Sequence, residues 1–211
     1  MSLLFKMHPD NPQLRLIRKA ADLVRTGGLI VYPTDTSYAL GCPLGDKAAL
    51  KRICTIRQLD EKHHFTLVCR DLSEISAYAR FDTPVYRLLK AHTPGAYTFV
   101  LPATREVPRR LMHPKHNTIG LRIPNHRLVQ ALLVELNQPM LTTTLILPGE
   151  RLPLSDPSDI VRRLWSQVDL VLDAGFGGLD VTTLVDLTES PPKILRIGKG
   201  NPAPFESDRR P

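Results

Sequence analysis

The chain is poor in cysteine. Cys42, Cys54 and Cys69 are odd in number, and no C-x-x-C pair occurs. This argues against a disulfide framework or a structural zinc site and for a reducing compartment. No apolar run approaches the roughly 20 residues of a membrane helix. No apolar h-region is visible near Met1, so neither a membrane span nor a secretory signal is expected, and the expected location is cytoplasmic. No G-x-x-x-x-G-K-[ST] exists, and Gly175-Phe176-Gly177-Gly178 is not a dinucleotide fingerprint. A nucleotide, if bound, is therefore not held by a P-loop. Aromatic residues make up only 6% of the chain. Few of them interleave the basic residues, so base stacking has little support. There is no internal repeat, no low-complexity tract and no linker long enough to split the chain.

What is present suits one large domain. The 211 residues are 42% hydrophobic and 23% charged, enough for a full core. The expected domain spans 1–211, with its core over about 12–198 and a flexible tail from 199. The net charge of +7 suits a polyanionic partner, nucleotide or RNA.

One stretch stands apart. Leu29-Ile30-Val31-Tyr32 reads as a buried strand after Gly27-Gly28, and Pro33 ends its ladder. Thr34, Asp35, Thr36, Ser37 and Tyr38 follow directly. A core has little use for so many polar groups in a row, since each buried one needs a partner. Two readings stay open: a ligand site at a strand's carboxyl end, or a polar turn whose hydroxyls cap the next helix.

Around it, periodicity predicts alternating elements. Asn11-Pro12 starts a helix with Leu14, Ile17, Ala21 and Val24 on one face. Asp46 caps a second helix to Ile56. Phe65–Cys69 reads as a strand, Asp71 caps a helix to about Ala79, and Asp82 or Thr83 caps another to His92. Strands follow at Tyr97–Leu101 and Thr118–Ile123. Asn125 caps a helix to Leu136. Met140–Leu147 is a strand, Ser155 or Asp156 opens the helix carrying Trp165, and Asp169–Leu172 is a strand. Thr182–Leu187 and Lys193–Ile197 close the chain as an antiparallel pair. The fold class expected is α/β, one twisted mixed parallel and antiparallel sheet flanked by helices.

Arg122 interrupts an apolar strand and needs a fixed anion, either a phosphate or carboxylate ligand or an internal Asp or Glu. Arg105, Arg109, Arg110, His113, Lys115 and His116 crowd one segment, which is either a solvated loop or an RNA backbone track. His113-x-x-His116 and His63-His64 lack further ligands at metal spacing, so no metal site is expected there. Thr142-Thr143-Thr144 and Thr182-Thr183 are further hydroxyl clusters, and threonine also favours strands.

Pro33-Thr34-Asp35-Thr36-Ser37-Tyr38-Ala39-Leu40-Gly41 resembles the Pro-Thr-Glu-Thr-x-Tyr-Gly-Leu-Gly signature of the YrdC family, most closely its YciO branch. The resemblance extends from about Gly27 to Gly198. Pro94-Gly95-Ala96-Tyr97-Thr98 is similar to its Pro-Gly-Pro-x-Thr, Gly120–Pro124 to its x-x-Arg-x-Pro, Thr182–Asp186 to its Ser-Thr-x-x-Asp, and Ile194–Gly198 to its x-x-Arg-x-Gly. It implies a basic concave cleft that makes threonylcarbamoyl-AMP from L-threonine, bicarbonate and ATP with Mg2+, for the threonylcarbamoyladenosine modification of tRNA. Its implied threonine site is Thr34, Thr36, Tyr38, Thr98 and Thr144. Its implied ATP site is Arg57, Arg122, Thr144, Thr183 and Arg196, with Arg57 catalytic. Two motifs depart. Lys-x-Arg falls on Arg57-Gln58-Leu59, and Ser-x-Asn on Thr144-Leu145-Ile146. Implied partners are tRNA or double-stranded RNA and a threonylcarbamoyl-transfer complex. The alternative kept open is an RNA-binding protein of the same fold without catalysis, using Arg105, Arg109, Arg110 and Lys115.

Overall fold

In the computed structural model the described residues are 3–59, 63 and 65–206. In chain order the elements are β1 Leu3–Lys6, α1 Leu14–Arg25, β2 Ile30–Tyr32, β3 Ala39–Pro43, α2 Lys47–Arg57, β4 Thr66–Val68, α3 Leu72–Tyr78, α4 Thr83–His92, β5 Tyr97–Pro102, β6 Thr118–Arg122, α5 Arg127–Leu136, β7 Met140–Thr144, α6 Pro157–Leu164, β8 Leu170–Asp173, β9 Thr183–Asp186 and β10 Lys193–Arg196. The strands form one mixed sheet in the order β1-β8-β2-β3-β7-β4-β6-β5-β9-β10. β4 and β6 are parallel, as are β5 and β9, whereas β3–β7, β4–β7 and β5–β6 are antiparallel.

Alternation along the strands sends successive side chains to opposite faces, which builds two cores. On one face α1 (Ile17, Ala21, Val24) and α5 (Leu128, Leu132, Leu136) pack over Ile30, Tyr32, Leu170 and Leu172. On the other, Ile53 of α2, Ile75 of α3, Leu89 of α4 and Ile160 of α6 meet Val31, Leu67, Phe99 and Leu121. The face under α1 and α5 continues across the sheet as a row of small or polar residues in register: Gly41, Thr142, Thr66, Gly120, Val100 and Asp186. From Thr142 to Asp186 that row floors a cleft.

Four helix starts follow their expected aspartates. Asp46, Asp71, Asp82 and Asp156 each accept a backbone N–H two or three residues into the helix. Two expected caps are corrected. The first helix begins at Leu14, with Gln13 at its cap; Asn11 lies upstream in a turn whose Asp10 and Asn11 N–H groups are both held by His8 Nδ1. The fifth begins at Arg127, with His126 at its cap; Asn125 lies one residue further upstream, its N–H on the Asp35 carboxylate at 3.1 Å. Trp165 lies at the C-cap of α6, and β7 ends at Thr144, three residues early. Past it the Leu145 and Ile146 N–H groups bond Tyr38 O and Thr144 O. Two strands were not expected: β1, and β3, which returns straight from the hydroxyl turn. The segment after Gly198, expected to fray, is held as far as Glu206. Phe205 is buried and its ring sits 4.7 Å from His92 and 5.6 Å from Tyr97.

Candidate active site

The turn between β2 and β3 serves itself first. Thr34 Oγ1 donates to Ser37 O at 2.7 Å and accepts the N–H groups of Thr36 and Ser37, both at 3.2 Å. Its hydroxyl also meets Thr36 Oγ1 at 3.0 Å. These bonds close a local Ser/Thr turn, so the hydroxyls cap their own loop and not a following helix. Ser37 is the member of the turn that lines the cleft. Tyr38 is fully buried, and its hydroxyl donates to Gly175 O at 2.7 Å. Burial pushes its phenol up to about 12.

The loop after β8 lies hard against this turn. A Cβ on Gly178 would sit 2.0 Å from Thr36 O, and one on Gly177 2.6 Å from the Tyr38 ring. Only glycine permits that approach.

Asp35 is the turn's reach across the face. Its carboxylate accepts from Arg122 at 2.6 Å, although β6 lies three strands away from β3 in the sheet. The side chains of Arg122 and Asp35 are 7% and 11% exposed. Thus Arg122 has the internal carboxylate that its position demanded, and it still lines the cleft with its Nε buried and unpartnered. Lys199 Nζ donates to Asp35 O at 2.5 Å, so the C-terminal segment pins the same turn.

Beside Arg122 lies Arg196 on β10. Its Nε and Nη2 donate to Thr182 O at 3.1 and 3.0 Å, and Nη2 also to Thr182 Oγ1 at 3.1 Å. Burial and then the neighbouring Arg122 charge hold its pKa below the usual guanidinium value. Thr182 Oγ1 is in turn 2.8 Å from Thr98 Oγ1. Two guanidiniums and two hydroxyls therefore meet at one part of a cleft of about 750 Å³, a size suited to a small ligand.

The far wall is β7. Thr142 Oγ1 pairs with Tyr32 Oη at 2.7 Å and donates to Leu40 O at 3.0 Å. Arg57 Nη1 donates to Thr143 Oγ1 at 3.1 Å and to Thr144 O. Burial holds its pKa below the ordinary value. Arg57 stands behind the wall that Thr142, Thr143 and Thr144 present to the cleft.

Of the residues expected in the site, the structure brings Thr98, Thr144, Arg122 and Arg196 to the cleft. Thr34, Thr36, Tyr38, Thr183 and Arg57 stand behind it. Thr183 is fully buried and its Oγ1 donates to Gly200 O; its neighbour Thr182 faces the cleft instead. Leu59 packs against the core, with its N–H on Cys54 O at 3.0 Å. Arg105, Arg109, Arg110 and Lys115 are exposed, and Arg110 donates to Gly45 O. Sequence reasoning missed Ser37, Lys193 and the carboxylates Asp186 and Glu189 at the cleft, and Lys199 on the Asp35 carbonyl behind it. It also dismissed His63, His113 and His116 as metal ligands without placing them; all three line this cleft, whereas His64 lies outside the described residues. Only the signature's own carboxylate, Asp35, pointed toward Arg122. Among the described residues no three His, Cys, Asp or Glu side chains are grouped to hold a metal ion, and no helix is long and apolar enough to cross a membrane.

The comparisons agree with this architecture. The family model Sua5_yciO_yrdC, "Telomere recombination", matches residues 22–198. The Escherichia coli (strain K12) protein named "Uncharacterized protein YciO" is 54% identical over 205 residues, covering 97% of this chain and all of that one. The crystal structure of E. coli YciO superposes with a TM-score of 0.94 at 53% identity, over 98% of this chain and 100% of that one. Pyrococcus abyssi "Threonylcarbamoyl-AMP synthase" is 28% identical over 86% of this chain and 54% of that protein. The structure of P. abyssi Sua5 complexed with L-threonine gives a TM-score of 0.85 at 25% identity, over 93% of this chain and 58% of that one. A sheet that carries Arg122, Arg196 and the 34–38 turn to one cleft, and a match over residues 22–198, place this chain in the Sua5/YciO/YrdC family.

Proposed function

We propose that the cleft binds L-threonine, bicarbonate and MgATP and forms threonylcarbamoyl-AMP, with pyrophosphate as the leaving group. The observation that carries this reading is Arg196. It is a half-buried guanidinium in a hydroxyl-lined cleft whose hydrogen bonds go to Thr182 and not to a carboxylate. Such a group favours an anionic ligand. The named activity of the P. abyssi relative supports the choice of reaction.

The chemistry balances without a protein nucleophile. The threonine amine attacks bicarbonate carbon, water leaves, and a carbamate forms. A carbamate oxygen then attacks the α-phosphorus of ATP. The bond from that phosphorus to the bridging oxygen breaks, and pyrophosphate departs with the electron pair. Arg122 and Arg196 neutralise charge on the phosphates. Thr98, Ser37 and Thr144 orient threonine by hydrogen bonds. Mg2+ enters as part of MgATP. The product serves tRNA modification through a threonylcarbamoyl-transfer partner.

Leu59 and Ile146 stand where the family pattern has arginine and asparagine. A missing charge-assisted hydrogen bond costs about 1.5–3 kcal/mol, or roughly one to two factors of ten in rate. Slow turnover is therefore expected. The test is pyrophosphate release from purified protein with MgATP and bicarbonate, with and without threonine. The reading expects release that needs threonine and falls at least tenfold in Arg196→Gln; release that ignores threonine would contradict it. Exposed Arg105, Arg109 and Lys115, on the segment that also carries His113 and His116 to the cleft, favour a second reading, RNA binding, in which affinity falls steeply with salt.

A further inference from the structure

The family pattern puts two cations in its Lys-x-Arg segment, and here one of them is gone. Leu59 is half-buried against the core and the surviving cation, Arg57, is held behind the β7 wall. The structure nevertheless puts an imidazole on the cleft side of that wall. His63 lines the cleft, and its Nε2 is 3.4 Å from Thr143 Oγ1, the hydroxyl that Arg57 Nη1 reaches from behind at 3.1 Å. Its ring stands edge-on to Phe65 with centroids 4.9 Å apart, which fixes its orientation. Arg57 and His63 thus converge on one side chain, with only His63 on the substrate side.

We propose that His63 is the cleft cation that contacts the nucleotide's phosphates, and that Arg57 positions the Thr143–Thr144 wall behind it. This rests on the nucleotide-binding reading above and deepens it. Nucleotide affinity then depends on the charge of one imidazole, a group that switches between about pH 5 and 8. The charged groups sharing the cleft are Arg122, Arg196 and Lys193 on the cationic side, Asp186 and Glu189 on the anionic side, and the imidazoles of His113 and His116.

The test is MgATP binding by calorimetry at pH 5.5 and pH 8 for the wild type, His63→Gln and His63→Arg, with far-ultraviolet circular dichroism to show that each variant is folded. ATP's own terminal phosphate titrates in the same range, so variants are compared at each pH. The proposal expects His63→Gln to bind about tenfold more weakly than wild type at pH 5.5 and nearly equally at pH 8. It expects His63→Arg to bind tightly at both. A folded His63→Gln variant with wild-type affinity at pH 5.5 overturns it. If the His63-dependent pH response appears without threonine-dependent pyrophosphate release, the synthase reading fails and the His63 assignment stands. If release requires threonine and His63→Gln leaves the KM for ATP unchanged at pH 5.5, the His63 assignment fails alone. No MgATP binding by the wild type at either pH overturns both.

Discussion

Asp35 is the residue on which the site's geometry turns. It joins the β2–β3 turn to Arg122 and to the Asn125 N–H, and its own carbonyl is held by Lys199. Removing one partner of a buried pair leaves an uncompensated charge, at about 3–5 kcal/mol. Asp35→Ala is expected to lose that much in urea denaturation, and the double variant Asp35→Leu, Arg122→Met to recover most of it. A loss below about 1 kcal/mol in Asp35→Ala would show that the pair is not buried as described. The buried phenols give a pH prediction. Tyr32, bonded to Thr142, and Tyr38, bonded to Gly175, are each pushed by burial from 10.0 up to about 12. The neutral forms are favoured by the fold, so their contribution is intact below pH 10 and is lost as pH rises through about 12. Ultraviolet titration should leave both phenols protonated at pH 11 in the folded protein, with their ionisation coinciding with alkaline unfolding. Full titration of all five tyrosines by pH 11 with the fold intact would contradict this.

At the scale of elements, the loop after β8 matters because it is pressed on the hydroxyl turn. Gly178→Ala places a methyl 2.0 Å from Thr36 O, a backbone atom that cannot swing aside. The variant is expected to weaken threonine binding at least tenfold with a smaller change in melting temperature; unchanged binding would separate the loop from the site. Elements whose signals are local were legible in the sequence. Asp46, Asp71 and Asp82 cap where an Asp precedes an amphipathic run, and the strands at Tyr97 and Thr118 carry clear apolar runs. Elements that depend on distant partners were not. β1 is four residues that exist by pairing with β8, 167 residues away at Leu3↔Leu170. β3 contains Gly41, a poor strand former, and is fixed by β2 on one side and β7 on the other. Asn125 carried a good cap signal, but the cap is His126, and the Asn125 N–H lies on Asp35 from a remote turn. The site was legible in the same measure. Arg122 was conspicuous because a charge broke an apolar strand, whereas nothing local showed that Thr182 and not Thr183 would face the cleft, or that Lys199 would return to the Asp35 carbonyl.

For the whole molecule, the helices are unequally shared between the faces. α1 and α5 cover only part of one face, and the uncovered part is the cleft floor. Its row of glycine, threonine and valine is small enough to leave room for a ligand. A Cβ on Gly120 would already sit 2.8 Å from Thr66 Oγ1. The cations around that floor, within a chain of net charge +7, attract anions over a range that salt shortens. The chain's family is that of Sua5, YciO and YrdC; the adenylation proposed for its cleft is the account's central claim, and the changes at Leu59 and Ile146 bear on the speed it expects. The most direct measurement is transfer of carbon from labelled bicarbonate into an adenylate, with purified protein, MgATP and L-threonine. The account predicts a labelled threonylcarbamoyl-AMP that disappears when threonine is omitted and drops sharply in Arg196→Gln. No labelled adenylate with threonine or any other amino acid, from folded protein that binds MgATP, would contradict it.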